Sequence, residues 1–179
     1  MSADWRGDIL KFWFGLTPEQ WWGGDVELDH RVRERFLKLW AEKRQLPVDC
    51  FLGDSLTALA AVILFDQFPR NMFRGHADQY STDHLALGIA KGAVDKGLDS
   101  ELQAQERGFL YMPFQHSEDA GDQRQSLLLF TELGDANQLN YAHVHHDLIA
   151  RFGRFPHRNA LLGRPSRPDE IAAGADKPW

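Results

Sequence analysis

Cysteine is nearly absent from the chain: its 179 residues include only Cys50. An intramolecular disulfide is therefore excluded, and so is a zinc site built on paired thiolates. A reducing compartment, the cytoplasm, is the expected home. Long apolar runs are missing too. The longest, Leu56 to Phe65, is interrupted by Thr57 and followed by Asp66. It falls well short of the roughly 20 residues that span a bilayer, so it reads as a buried core helix, and no membrane partner is expected. The opening segment MSADWRGDILKFWFG carries acids on both sides of a short apolar patch and has no small-residue cleavage site, which reads as helix rather than leader peptide. Positive charge is not in excess. A net charge of −6 argues against nucleic acid as a partner.

The basic residues that are present are unevenly chosen. Arginine outnumbers lysine 14 to 6, and no lysine occurs between Lys96 and Lys177. Arginine is suited to planar, bidentate pairing with carboxylate or phosphate and to ion pairs that are partly buried. Salt bridges within the fold are the ordinary use of such residues, and a grip on an anionic ligand is the alternative. Hydrophobic residues at 43% and charged residues at 26% describe a globular chain, and the length suits one domain over 1–179.

Apolar residues recur at helical spacing almost throughout. Ile9, Trp13 and Leu16 share one face, as do Leu28, Val32, Phe36 and Leu39. Asp54 or Ser55 is positioned to cap a helix over 56–67, stopped by Pro69. Ser81 or Thr82 is positioned to cap the next, where Leu85, Ile89 and Ala93 form a stripe edged by small residues. A shorter helix is expected over 100–110, broken by Pro113. Another begins at Ser117, with Glu118 and Asp119 in its first turn, and ends before Gly134. The helix over 137–152 turns Tyr141, Leu148 and Phe152 inward and stops at Gly153. Ser166 and Asp169 mark a last N-cap before Pro168. No alternating strand pattern is found. Short connections predict stacked antiparallel helical hairpins, an all-α fold.

Three segments carry more polar chemistry than a helical scaffold needs. In the first, Asp66 lies on the face of Leu59 and Ile63, so its carboxylate requires a partner; Arg70, Asn71 and Arg74 follow it. In the second, His116 and Glu118 are the candidates for acid–base catalysis, beside Asp119 and Gln123. Gln123 falls on an apolar face. In the third, His145 points toward the core, and Arg154, Arg158, Asn159 and Arg164 lie beyond the helix end. Phe-Pro-Arg-Asn at 68–71 is echoed by Phe-Pro-His-Arg-Asn at 155–159, which is compatible with a duplicated helix pair or with chance. No HExxH, G-x-S-x-G, Gly-rich phosphate loop or dinucleotide fingerprint is present. Neither a metal nor a cofactor is therefore expected.

At these same segments the chain resembles the bacterial domain-of-unknown-function family 924. The matching stretches are ILKFWFG (9–15), LFDQFPRNMFRG (64–75), STDHLAL (81–87), FLYMPFQHSED (109–119) with Asp122 and Gln123, and RFGRFPHRNALLGR (151–164). The resemblance covers nearly the whole chain, except for departures at 44–56 and in the tail after Glu170. It implies an all-helical fold similar to tetratricopeptide repeats, and it implies no reaction. Three readings follow. The segments could converge on a site for a small anionic molecule, with Arg70 and Arg158 holding the anion and Asn71 and Asn159 orienting it. They could line a peptide-binding groove of a helical-repeat module. Or they could be structural, locked in one another's ion pairs. None of these patterns specifies an oligomeric state.

Overall fold

Apolar spacing of three and four residues does most to make this chain helical, and the structure, a computed structural model describing residues 4–177, has no strand among them. Residues 1–3, and Pro178 and Trp179 of the departing tail, lie outside the described residues. No helix among the described residues is long and apolar enough to cross a membrane. Contacts divide the chain into two compact units, one running up to Arg74 and resuming over Asp78–Pro113, the other comprising Gly75–Ala77 and the chain from Phe114 onward. Each is described by itself.

The first unit contains α1 (Trp5–Trp13), α2 (Pro18–Trp22), α3 (Val26–Lys43), α4 (Ser55–Val62), α5 (Phe68–Met72), α6 (Asp83–Asp95) and most of α7 (Ala104–Gln115). Asp25 and Asp54 cap α3 and α4 by accepting backbone N–H bonds, which satisfies donors that a helix start otherwise leaves unpaired. The α3 face is Leu28, Val32, Phe36 and Trp40. Trp40, one position beyond the expected Leu39, completes the buried stripe, and Leu39 beside it is half-buried. On α6, Leu85, Ala86, Ile89, Ala90 and Ala93 are buried. A Cβ at Gly92 would lie 2.4 Å from a Leu52 methyl carbon, so the absence of a side chain there is what permits the contact.

Pro69 does not stop the helix that precedes it. Between α4 and α5 the chain makes one π turn, Ile63–Gln67, and continues helical through the proline. Proline has no N–H to give, and in an unbroken α-helix its ring would crowd the carbonyl four residues earlier; local widening relieves that crowding. The carbonyl in question is that of Phe65. The Thr82 hydroxyl donates to it at 2.7 Å, and Thr82 Oγ1 in turn accepts from Trp40 Nε1 at 3.2 Å. All three groups are buried. Thr82→Val keeps the shape and removes both bonds, stranding a carbonyl and an indole N–H. Urea unfolding should show a loss of about 2 kcal/mol; a change under about 0.5 kcal/mol would mean that water satisfies both groups. Pro113 likewise does not end its helix at once: α7 runs two residues past it.

The second unit is built on α8 (Ala120–Leu133) and α9 (Ala136–Phe152), which pack against each other, followed by α10 (Pro168–Ala172). The hairpin turns through Gly134, whose φ of +79° few other residues adopt. α8 starts three residues later than the sequence suggested. Asp119 is its cap, accepting from the N–H of Gly121 and Asp122, and Glu118 lies outside the helix. On α9 the buried face is Ala142, His145, Ile149 and Phe152. Tyr141, expected inside, is 56% exposed. The small Ala142 occupies the packed position, and the tyrosine keeps its polar end in water. α10 begins at Pro168 with Arg167, not Ser166, at the cap position.

Candidate functional site

In the first unit, the Asp66–Arg74 corner is an ion-pair assembly. Asp66 is fully buried, on the π turn. Arg70 lies 3.3 Å from its carboxylate and donates two bonds, at 2.9 and 3.0 Å, to Asp83 at the start of α6. Its Nη1 also donates to the Asp66 carbonyl. Burial works against the Arg70 charge, but Asp66 and Asp83 outweigh it and hold the guanidinium pKa above its ordinary value. Asn71 Nδ2 donates to Asp29 Oδ1 at 2.8 Å, and Arg74 donates to both oxygens of the same carboxylate at 2.6 and 2.9 Å. One turn of sequence thereby ties α3, α5 and α6 together.

In the second unit, the residues around 116, 145 and 158 do come together. The last carbonyls of α7 and those just beyond it are taken up by two side chains. Gln123 Nε2 donates to Gln115 O at 2.8 Å and Ser117 O at 2.7 Å, with a longer contact to Phe114 O, while Arg158 Nη2 donates to His116 O at 3.0 Å. These are the acceptors that a helix C-terminus leaves open. Gln123 Oε1 and the hydroxyl of Ser126, one turn along α8, are buried without a hydrogen-bond partner.

Around Phe155 stand three imidazoles and a guanidinium. His145 and His157 pack on its ring at 5.4 and 5.7 Å, Arg158 lies over it at 4.5 Å, and the His116 ring is 6.0 Å from that of His145. Burial, reinforced by the neighbouring His116, pushes the His145 pKa down to about 3. Burial, reinforced by Arg158, pushes His157 to about 4. Both rings are neutral at pH 7. His145 Nδ1 lies 2.7 Å from the Tyr141 carbonyl, so its proton is on that nitrogen.

Beside this cluster Glu118 accepts the Phe155 N–H and both arms of Arg164, at 2.7 to 2.9 Å. Burial opposes the charge, but those donors hold its carboxyl below the ordinary range. Glu118 is therefore an ionised anchor for the 155–164 segment, which leaves the acid–base candidacy to His116. Asn159 Oδ1 accepts from Arg164 Nε, and its amide nitrogen donates to Glu170 at 3.0 Å. Glu170 is fully buried and gathers Arg154, Arg167 and the Arg167 N–H as well. Those donors bring its pKa down to about 2.

Of the residues named from sequence, Asp66, Arg70, Asn71 and Arg74 form one assembly in the first unit. His116, Glu118, Gln123, His145, Arg154, Arg158, Asn159 and Arg164 form another in the second, while Asp119 serves as the cap of α8. Three partners were missed: Asp29, Asp83 and Glu170. Only Glu170 had a local signal, as the third residue of a helix opening on proline. No group of three or more His, Cys, Asp or Glu side chains among the described residues could hold a metal ion.

Residues 9–174 match a family of bacterial proteins of unknown function (DUF924). A solved structure of a protein of unknown function from Agrobacterium tumefaciens is 36% identical and superimposes with a TM-score of 0.90, over 98% of this chain and 99% of that one. No curated protein matches the sequence.

Proposed function

This chain belongs to the DUF924 family of bacterial proteins of unknown function, and from that premise we propose that its second unit binds a small anionic molecule at the imidazole cluster around Phe155. The observation that carries the proposal is the company kept there: His116, His145 and His157 with Arg158, all within ring contact of one another or of Phe155. His145 and His157, neutral at pH 7, are each able to donate and accept, and Arg158 brings a permanent charge, a combination suited to carboxylate or phosphate. His116 is the residue for any proton transfer. In this reading Arg70, Arg74, Arg154 and Arg164 leave the set of anion holders, because protein carboxylates already occupy them.

The experiment is an NMR titration of the histidine rings with inorganic phosphate and with acetate at millimolar concentrations. Saturable shifts of His116 and His157 are expected, lost in His116→Asn while the fold persists. Shifts that grow linearly with salt, or that survive His116→Asn unchanged, would refute the site.

For the Asp66–Arg74 corner a structural reading is favoured by a specific observation: Asp83 takes both arms of Arg70, and Asp29 takes Nε and Nη2 of Arg74. The helical-repeat, peptide-binding alternative has no comparable contact in its favour.

A further inference from the structure

The first unit contains a cleft of about 480 Å³, lined by Trp5, Arg6, Lys43, Leu46, Cys50 and Phe51 among others, which none of the motif residues touches. We infer that it is a second binding site, for a small aromatic carboxylate. Its size falls within the range of pockets that hold metabolite-sized ligands.

The walls separate into committed and uncommitted groups. Arg6 is committed: its Nε donates to Asp4 at 3.0 Å, and Nη1 donates to Asp54 at 3.2 Å and to Thr57 at 3.0 Å. It holds the start of α1 to the start of α4, with the Asp4 and Asp54 carboxylates already at its guanidinium. Lys43, in the last turn of α3, is different. Its ammonium sits over the Trp5 ring at 5.0 Å, and no carboxylate among the described residues comes within ion-pair distance of it. It is thus a cation fixed in place by an aromatic face at the edge of a concave surface. The apolar part of the lining is Trp5, standing edge-on to Phe51 with ring centroids 6.3 Å apart, and Leu46, which is 38% exposed.

A ligand that satisfies all of this has a flat apolar body to lie against Trp5 and Leu46 and one negative group to meet Lys43. A cationic or purely aliphatic polar molecule would leave either the ammonium or the indole without a counterpart. None of its lining residues belongs to the imidazole cluster, so either proposal can fail without the other.

Cys50, the one cysteine of the chain, is exposed and lines the cleft, so it serves as a built-in reporter. The test measures alkylation of Cys50 by iodoacetamide, a neutral reagent, followed by mass spectrometry of the full chain. Increasing 1-naphthoate is expected to slow the reaction saturably, and 1-naphthylmethylamine, of similar shape and opposite charge, is not. Lys43→Gln should weaken the protection by about fivefold, as the loss of one partly exposed charge contact does. Trp5→Leu should weaken it too. Equal protection by the amine, no saturable protection by naphthoate, or protection unchanged in Lys43→Gln would each overturn the assignment.

Discussion

Replacing Arg70 with methionine is expected to destabilise the protein by ~3–5 kcal/mol, the loss typical of a buried ion pair deprived of one partner. The side-chain volume is nearly kept, so little of the loss comes from packing. What changes is the charge. Asp66 is fully buried and Asp83 only 19% exposed, and both would lose the guanidinium between them. A buried carboxylate deprived of its cation favours the neutral form, so the deficit should shrink as pH falls from 7 toward 5. Urea unfolding of wild type and variant at the two pH values measures both effects. A loss below about 1 kcal/mol at pH 7 would mean that the corner is far less coupled than its geometry implies.

The second large effect concerns acid. His145 has a folded-state pKa of about 3, against about 6.5 for an imidazole in an unfolded chain. Between those values the unfolded chain carries one proton more, so stability falls as pH falls through that interval, by about 1.4 kcal/mol per unit for this residue alone. His157, lowered to about 4, pulls the same way but is more exposed and should count for less. From pH 7 to pH 5 the wild type should lose roughly 2 kcal/mol more than His145→Gln, which has no proton to take up there. Parallel stability curves for the two proteins would show that the ring titrates normally in the folded state. Glu170 adds a later loss with the same sign: its carboxyl, held down to about 2, contributes stability above the ordinary glutamate range that fades as pH drops toward 2.

The helices were legible because their signals are local. Caps such as Asp54, stops such as Gly134 and Gly153, and the α6 stripe of Leu85, Ile89 and Ala93 are all set by residues within one or two turns. Failures came where a local rule met a distant contact. Pro69 reads as a helix stop, but the helix widens into a π turn ahead of it and the distant Thr82 hydroxyl takes the Phe65 carbonyl. Tyr141 reads as inward because it shares a helical register with Leu148 and Phe152, but the packed position on α9 is taken by the smaller Ala142. The polar residues of the motifs were recognisable one by one, since a buried Asp66 or an arginine-rich segment announces a need for partners. The partners were not, because Asp29 lies 42 residues from Asn71 and Glu118 lies 46 from Arg164. Sequence spacing carries no information at that range, and charge alone does not choose between one carboxylate and another.

The π turn at Ile63–Gln67 fits one extra residue into the helical path, and each residue advances an α-helix by about 100°. Everything downstream, including Arg70, Asn71 and Arg74, is aimed by that added rotation. Removing one residue from the turn would swing the guanidinium of Arg70 off Asp83 and the amide of Asn71 off Asp29 without altering a single motif letter. Relatives that share the corner should therefore differ across this stretch by replacement and never by a change in length.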